Sequence, residues 1–308
     1  MNHATNPNWR RCLRRWGAAV CLLALGCVAA ILALSARAQA QAGLHRASSV
    51  RSLRLYVFDC GRLKIADPAR YHLKREEMAT TDMSVACFLV AHPKGTLMWD
   101  VGVIPDSQLK AGGTPVTVEY ATSVATVAKP LLPQLAAAGY APGDITYVAF
   151  SHFHYDHVAN ANAFAGSTWL VDQPERDVMF SDPPSPRTVP AFFSALKNSK
   201  TVIIKDDEYD VFGDKSVLIK SAPGHSPGHQ VLFLRLTHTG PVLISGDLYH
   251  YPEERKLNRL PTTEYDVEQT IASRARVEAF LKKTGAQLWI QHDAVGNAKL
   301  KKAPQYYD

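Results

Sequence analysis

The stretch that most constrains this chain is residues 151–157, which read Ser-His-Phe-His-Tyr-Asp-His. It directly follows the apolar run 145–150, which predicts a buried strand. The carboxyl end of such a strand is where α/β folds tend to carry chemistry. His152 and His154 are two residues apart and can point the same way from an extended segment. Asp156 and His157 follow as the chain turns toward a helix, so two neighbouring metal positions can each receive ligands from this one turn.

The first forty residues predict a secretory signal peptide, separate from the folded domain. Four arginines precede an almost unbroken apolar run over residues 17–34, and small-x-small cleavage sites end at Ala38 and Ala40. An uncleaved membrane anchor stays open, because the run is about long enough to span a bilayer. We expect a signal peptide over residues 1–40, export to a bacterial periplasm or secretion, and no membrane contact after cleavage.

The charge of the chain gives little indication of its partners. The formal net charge of +6 comes from 34 Lys and Arg against 28 Asp and Glu. Five of those arginines and no acidic residue lie in residues 1–38, so cleavage leaves 29 basic against 28 acidic side chains. The remaining chain lacks the interleaved basic and aromatic stripe of nucleic-acid binders. We therefore expect no nucleic-acid partner.

Two cysteines, Cys60 and Cys87, remain after cleavage. An oxidising compartment permits a disulfide between them. Both lie in apolar, strand-like contexts, so two buried free thiols are an equal alternative.

The mature chain predicts two β-sheets packed face to face with helices outside. Helical periodicity covers residues 120–139 and 266–283, the second with Val267, Ile271, Val277 and Leu281 on or near one face. Strand-like runs cover residues 53–59, 84–91, 96–99, 145–150, 168–171, 202–205, 217–221, 231–236, 242–245 and 288–291.

Each of three other features has two interpretations that the sequence leaves open. Residues 67–82 form either a functional lid or a mobile surface loop. Phe192 and Phe193 form either an apolar wall beside a site or part of the core. Asp100, at a strand end before a glycine, either accepts a hydrogen bond from a metal-bound histidine or forms a turn.

Three further polar groups come at strand ends. Residues 223–229 read Pro-Gly-His-Ser-Pro-Gly-His, residues 245–247 read Ser-Gly-Asp, and residues 291–293 read Gln-His-Asp. Strand ends in one sheet layer share an edge, so these side chains can converge on one point. Each group alone is a weak signal, whereas the set in this order is informative.

In that order, His-x-His-x-Asp-His, Gly-His, Gly-Asp and a late His resemble the metallo-β-lactamase superfamily of αββα hydrolases. The resemblance implies an α+β sandwich of two mixed sheets over a hydrolase domain at residues 41–308. It assigns His152, His154 and His229 to one metal, Asp156, His157 and His292 to a second, and Asp247 to both. His225 would then be a neighbour of the site.

The implied cofactors are two divalent metal ions. Zinc favours imidazole and carboxylate ligands, and manganese, iron and cobalt stay open as alternatives. Two such ions share a hydroxide that can attack a carbonyl or phosphoryl centre.

Within the superfamily, residues 56–61 and 221–230 resemble the N-acyl-homoserine lactonase branch. This implies opening of the lactone ring of N-acyl-homoserine lactones, which is quorum quenching, with a small lactone or ester as substrate. Lactonases of this branch place a tyrosine three residues after the bridging aspartate, whereas this chain has His250 there and Tyr249 one residue earlier. We expect Asp156, Tyr249 and His250 as catalytic candidates, and rim packing is the alternative for the last two.

Two other functions remain open. One is an organophosphate or aryl-ester hydrolase of the same fold, and the other is a non-catalytic protein that binds zinc or a lactone. A homodimer is an open prediction for the assembly.

Overall fold

The computed structural model describes residues 50–109 and 115–308. The signal peptide predicted at residues 1–40 lies outside the described residues, and the domain boundary after residue 40 stays a prediction. Among residues 50–109 and 115–308, no helix combines the length and the apolarity that a membrane crossing requires.

Two sheets account for the strands of the described chain. The first sheet contains β1 (Arg54–Ile65), β2 (Asp82–His92), β3 (Gly95–Trp99), β4 (Val116–Tyr120), β5 (Ser123–Val127), β6 (Tyr147–Ala149), β7 (Thr168–Asp172), β8 (Thr201–Ile204) and β14 (Tyr306–Tyr307). The second sheet contains β9 (Glu208–Asp210), β10 (Val217–Ser221), β11 (Gln230–Leu236), β12 (Gly240–Ile244) and β13 (Gln287–Trp289). The helices are α1 (Leu131–Ala137), α2 (Tyr155–Val158), α3 (Gln173–Met179), α4 (Pro252–Leu257), α5 (Val267–Thr284) and α6 (Ala294–Ala298).

Both sheets are mixed. The first sheet has the order β4-β5-β1-β2-β3-β6-β7-β8, with β14 also paired to β1. Its strands β3, β6, β7 and β8 are parallel neighbours, and its other pairs are antiparallel. The second sheet has the order β13-β12-β11-β10-β9, and only β12 and β13 pair in parallel.

Alternating side chains along the strands build three layers of core. On β1, Leu55 and Val57 face the layer between the sheets, while Tyr56 and Phe58 face the opposite layer. Such a period of two is what a strand buried on both faces requires. Helix α1 covers the outer face of the first sheet, and α5 covers that of the second. The predicted α+β sandwich with αββα layers is confirmed.

The predicted helix over residues 120–139 is wrong in its first part. Residues 116–127 form the β4–β5 hairpin, and β5 pairs with the second half of β1. Valine and threonine are common in this segment, and their branched side chains suit a pleated surface better than a helix. The helix itself covers only Leu131–Ala137.

The predicted apolar face of α5 is half wrong. Val277 and Leu281 are buried, but Val267 and Ile271 are 45% and 47% exposed. In the first half of the helix the buried residues are Thr270, Ser273 and Arg274. Ser273 Oγ donates to Pro223 O in the turn between β10 and β11, which satisfies a backbone acceptor there. Thr270 packs against Gly224 of the same turn, and its hydroxyl bonds Glu264 and Asp266 O.

A disulfide joins Cys60 of β1 to Cys87 of β2. Both residues lie in the core on the helix-covered face of the first sheet. Of the two interpretations that the sequence left open, the structure has the bonded pair.

Candidate metal centre

Four chain segments that follow strands meet at one end of the sandwich. They are residues 151–157 after β6, residues 222–229 between β10 and β11, residues 246–248 after β12, and residues 291–293 after β13. Their ligand-type atoms form two groups, each with all atoms within 4.8 Å of one another. The first group is His152, His154, His225 and Asp247, and the second is Asp156, His157 and His292. The structure thus brings together six of the seven metal ligands assigned from the sequence, and replaces His229 by His225.

The first group is centred on His154. Its Nδ1 lies 2.8 Å from His152 Nε2 and 3.1 Å from His225 Nε2. Asp247 Oδ2 lies 3.3 Å from His225 Nε2 and 3.6 Å from His152 Nε2. Three imidazole nitrogens and one carboxylate oxygen therefore surround one point.

The second group lies on the other side of Asp247. His157 Nε2 and His292 Nε2 are 3.3 Å apart, and Asp156 Oδ2 is 3.4 Å from His292 Nε2. Asp247 Oδ1 lies 3.0 Å from His292 Nε2 and 3.1 Å from His157 Nε2. Because its other oxygen faces the first group, Asp247 occupies the position that a bridging carboxylate requires.

These residues fit a pair of divalent cations. Asp247 Oδ1 is buried and forms no well-directed hydrogen bond among the described residues, although two ring nitrogens lie within 3.1 Å of it. One nitrogen of His154 likewise faces two other ring nitrogens. A single proton cannot bridge all of these atoms at once, whereas a divalent metal cation can. Burial, with the neighbouring histidines, holds the pKa of His152 and of His154 well below the ordinary value, which favours the neutral imidazole that binds metals. The donor set suits zinc but equally accommodates manganese, iron or cobalt.

Hydrogen bonds behind the two groups fix the ring orientations. His157 Nδ1 donates to Asp100 Oδ2 at 2.8 Å, so of the two interpretations left open for Asp100, the contact with a ligand-type histidine is present. Behind the other rings, His292 Nδ1 lies 2.7 Å from Ser84 O and His225 Nδ1 lies 3.2 Å from Glu264 Oε1. Such partners set which nitrogen is free to face a metal.

His229 is not part of either group. Its Nδ1 lies 3.1 Å from Ala222 O, and its Nε2 accepts a hydrogen bond from Asp247 N at 2.9 Å. Burial lowers the pKa of His229 to about 3, so the ring is neutral. Both nitrogens are occupied by backbone groups, and the assignment of His229 as a ligand is therefore a misprediction. Its contact with Asp247 N supports the bridging residue from behind.

The two candidates after Asp247 point in different directions. The hydroxyl of Tyr249 donates to Glu278 at 3.1 Å, and Arg274 covers its ring at 4.3 Å. Tyr249 lines a separate cavity, so the prediction that Tyr249 lies in the site is wrong. His250 Nε2 instead lies 3.2 Å from Asp247 Oδ2, and its ring contacts Tyr71 at 4.9 Å between centroids.

The charge on His250 is set by two carboxylates. Its Nδ1 lies 3.3 Å from Glu254 Oε1, while Arg274 neutralises the other Glu254 oxygen at 2.9 Å. Burial opposes a charge on His250, yet Glu254 and Asp247 outweigh it and raise its pKa to about 10. His250 can therefore act as a hydrogen-bond donor at the edge of the first group.

A cavity of about 390 Å³ opens onto both groups. Its volume falls within the usual range of small-molecule sites. Its floor includes His154, Asp156, His225, Asp247, His250 and His292, and its walls include Leu63, Ile65, Met83, Val189, Tyr71, Tyr120 and Tyr155. One end of the cavity thus carries the polar chemistry, and the walls can hold an apolar group.

Two residues of the segment 67–82 line the cavity. They are Arg70 and Tyr71, and Thr262 N donates to Arg70 O at 2.7 Å. Phe192 and Phe193 are in the buried core, so the core interpretation of this pair holds. The neighbouring residues 186–189 line the cavity in their place.

With this geometry in hand, comparison with known proteins identifies the family. Residues 80–292 match the Metallo-beta-lactamase superfamily. The chain belongs to the metallo-beta-lactamase superfamily. A curated relative, N-acyl homoserine lactonase AttM of Azorhizobium caulinodans, is 30% identical over 277 residues, which are 83% of this chain and 99% of the relative. The predicted resemblance to the lactonase branch and the predicted hydrolase class are therefore confirmed.

Solved structures of other proteins show the same fold. A Bacillus thuringiensis AiiA variant with N-decanoyl-L-homoserine at its active site matches with a TM-score of 0.69 at 24% identity, covering 83% of this chain and all of that one. AidC, a dizinc quorum-quenching lactonase in complex with a product, matches with a TM-score of 0.60 at 18% identity, covering 84% and 95%.

Two parts of the site were not predicted from the sequence. The β4–β5 hairpin supplies Tyr120 and Ser123 to the cavity, and its alternation of valine with polar residues over 116–120 was the available signal. His225 could have been preferred to His229 because His229 directly precedes β11, where the backbone already pairs across the sheet.

Proposed function

We propose that this protein hydrolyses the lactone ring of N-acyl-homoserine lactones. The observation that carries the proposal is the cavity that joins two His/Asp groups to an apolar and aromatic wall. An acyl-homoserine lactone has the same division, with an ester ring at one end and an acyl chain at the other. The named lactonases among the relatives support this substrate class.

The residues of this chain divide the work between them. His152, His154, His225 and Asp247 would hold one divalent ion, and Asp156, His157, His292 and Asp247 the other. Two such ions lower the pKa of water toward neutrality and polarise an ester carbonyl. Leu63, Ile65 and Met83 would receive the acyl chain, because burial of its methylene groups is favourable by about 0.8 kcal/mol each.

His250 would assist at the ring itself. Its Nε2 lies beside Asp247 and faces the cavity, so it can donate a hydrogen bond to the lactone carbonyl or to the leaving oxygen. The sequence offered Tyr249 or His250 for this role, and the contact of His250 with Asp247 supports His250.

The proposal is tested with purified, zinc-loaded protein and a substrate panel. We expect N-acyl-homoserine lactones to release one acid per turnover, measured by titration, and His154→Ala or Asp247→Asn to lower the rate by more than about 100-fold. His238→Ala is a matched control, since that side chain is 78% exposed. If the protein leaves lactones intact but cleaves phosphotriesters or aryl esters, it is an organophosphate or aryl-ester hydrolase and not a lactonase. Lactone binding without any turnover would leave a non-catalytic binding protein.

We also propose that the protein is exported. The Cys60–Cys87 disulfide supports this, because disulfides persist mainly in oxidising compartments. Cell fractionation followed by amino-terminal sequencing of the mature protein would test it, and a full-length cytoplasmic product with free thiols would contradict it. The homodimer stays a prediction that light scattering can check.

A further inference from the structure

Glu175 is a buried carboxylate at the start of α3, outside both candidate metal groups. It is 1% exposed. Among the residues that the structure describes, no lysine, arginine or histidine pairs with it. Removing a carboxylate from water without a cation costs free energy unless hydrogen bonds compensate. The hydrogen bonds to Glu175 must therefore compensate for its burial, and they show which segments the side chain connects.

The two oxygens of Glu175 join the two histidine-bearing turns. Oε1 accepts a hydrogen bond from Phe153 N at 2.7 Å, and Phe153 lies between His152 and His154. Oε2 accepts from Ser226 Oγ at 2.7 Å and from Gly228 N at 2.8 Å, in the turn that carries His225. One carboxylate thus spans the contact between His154 and His225.

Close packing holds the 222–229 turn against α3 as well. A Cβ on Gly228 would lie 2.7 Å from Glu175 Cβ and 2.9 Å from Glu175 N, which leaves no room for any side chain. On the opposite side, Ser273 Oγ of α5 donates to Pro223 O at 2.7 Å. The turn is held between two helices, and Glu175 is its link toward His154.

A second link between the turns lies further from the rings. Gln230 N donates to Ser151 O at 2.8 Å, where β11 begins. That bond fixes the base of both turns, whereas Glu175 binds them beside His154 and His225. Loss of Glu175 would free the tips of the turns while leaving their bases joined.

We propose that Glu175 is a positioning residue that sets the distance between His154 and His225, and thereby the metal affinity of the first group. The inference rests on the proposed metal-dependent function. It predicts an asymmetric defect, because His157 and His292 of the second group are oriented by Asp100 and Ser84 and not by Glu175.

The experiment measures zinc binding by the full folded chain without any substrate, by competition with a chromophoric chelator. We expect Glu175→Gln, which keeps the volume but loses one acceptor, to weaken one of two zinc equivalents by roughly 10–100-fold and to leave the other unchanged. Gly228→Ala should weaken the same equivalent, because its new methyl group pushes the turn away from α3. Glu278→Gln on α5 is the matched control, since its contacts are with Tyr249 and Arg255.

Several results would overturn the inference. Wild-type affinity for both equivalents in folded Glu175→Gln, or an equal loss at both, would show that Glu175 contributes only to general stability. Failure of the wild-type chain to take up zinc would overturn it too. Two zinc equivalents in a chain that cleaves no lactone would instead contradict the proposed function and leave this inference standing.

Discussion

The two turns that carry histidines differ in how many of those side chains reach the candidate metal centre. The 151–157 turn directs all three of its histidines there, together with Asp156. The 222–229 turn directs only His225 there, although His229 is just as deeply buried. Both turns follow a strand, so their place in the sequence does not explain the difference.

The hydrogen bonds of each ring do explain it. His152 uses Nδ1 on Ser151 and His157 uses Nδ1 on Asp100, so each keeps Nε2 for the site. His229 has both nitrogens in contact with backbone groups, of Ala222 and Asp247. A buried histidine is therefore a candidate metal ligand only when one of its ring nitrogens is free of hydrogen bonds to the surrounding structure.

Separate removal of each histidine of the 222–229 turn should have the largest effects. His225→Ala should reduce zinc uptake from two equivalents toward one and lower lactone turnover by more than about 100-fold, since loss of a ligand exceeds loss of an outer partner. His229→Ala should keep both equivalents and lower turnover by roughly 10-fold, because Asp247 N loses its acceptor. Metal analysis and kcat measure both, and the opposite order of effects would restore His229 as the ligand.

A second comparison sets His250 against Tyr249. His250→Phe should lower kcat by roughly 100-fold, the usual lower bound for a proton-donating group, with little change in zinc content. Tyr249→Phe should leave kcat unchanged and reduce the free energy of unfolding by about 1 kcal/mol through loss of its hydrogen bond to Glu278. Steady-state kinetics and urea unfolding test the two variants. Equal losses of kcat in both would contradict the assignment of the proton-donating role to His250 alone.

The third test asks whether the partner behind a ring decides which nitrogen is left over. Asp100 accepts from His157, from Ser151 N at 2.7 Å and from Gln291 Nε2 at 2.7 Å. Asp100→Asn keeps the size and tolerates the backbone φ of 52°, but turns an amide toward these donors. We expect zinc affinity of the second group to fall by roughly 10–100-fold. Unchanged affinity would mean that packing alone orients His157.

The smallest expected effect on turnover comes from the disulfide of the first sheet. Cys60→Ala combined with Cys87→Ala opens a link across a sequence separation of 27 residues. The free energy of unfolding should fall by about 3 kcal/mol. Turnover at 25 °C should stay near wild type, because neither residue lines the cavity. Denaturant unfolding measures the stability and lactone kinetics measure the turnover. A large loss of turnover at 25 °C would show that the histidine-bearing turns depend on this disulfide.

Much of the fold was predictable because its signals are local. The apolar run before residue 151 predicted β6, and most other strand-like runs match the observed strands within a few residues. Residues 116–127 were missed because their pattern suits a helix or a strand, and only pairing with β1 decides between them. Val267 and Ile271 likewise fit an apolar helix face, yet the side chains that contact the 222–229 turn are Thr270 and Ser273.

The kinds of ligand, their order along the chain and their position after strands follow from the sequence alone, because residue type and strand periodicity are local properties. The folded chain was needed to show that His225 faces the site while His229 holds Asp247 in place, and that His250 rather than Tyr249 borders the cavity. Folding also brought Glu175 between two turns that are about 70 residues apart in the chain. The direction in which a side chain points depends on partners that are distant in sequence, and those partners become neighbours only when the two sheets pack.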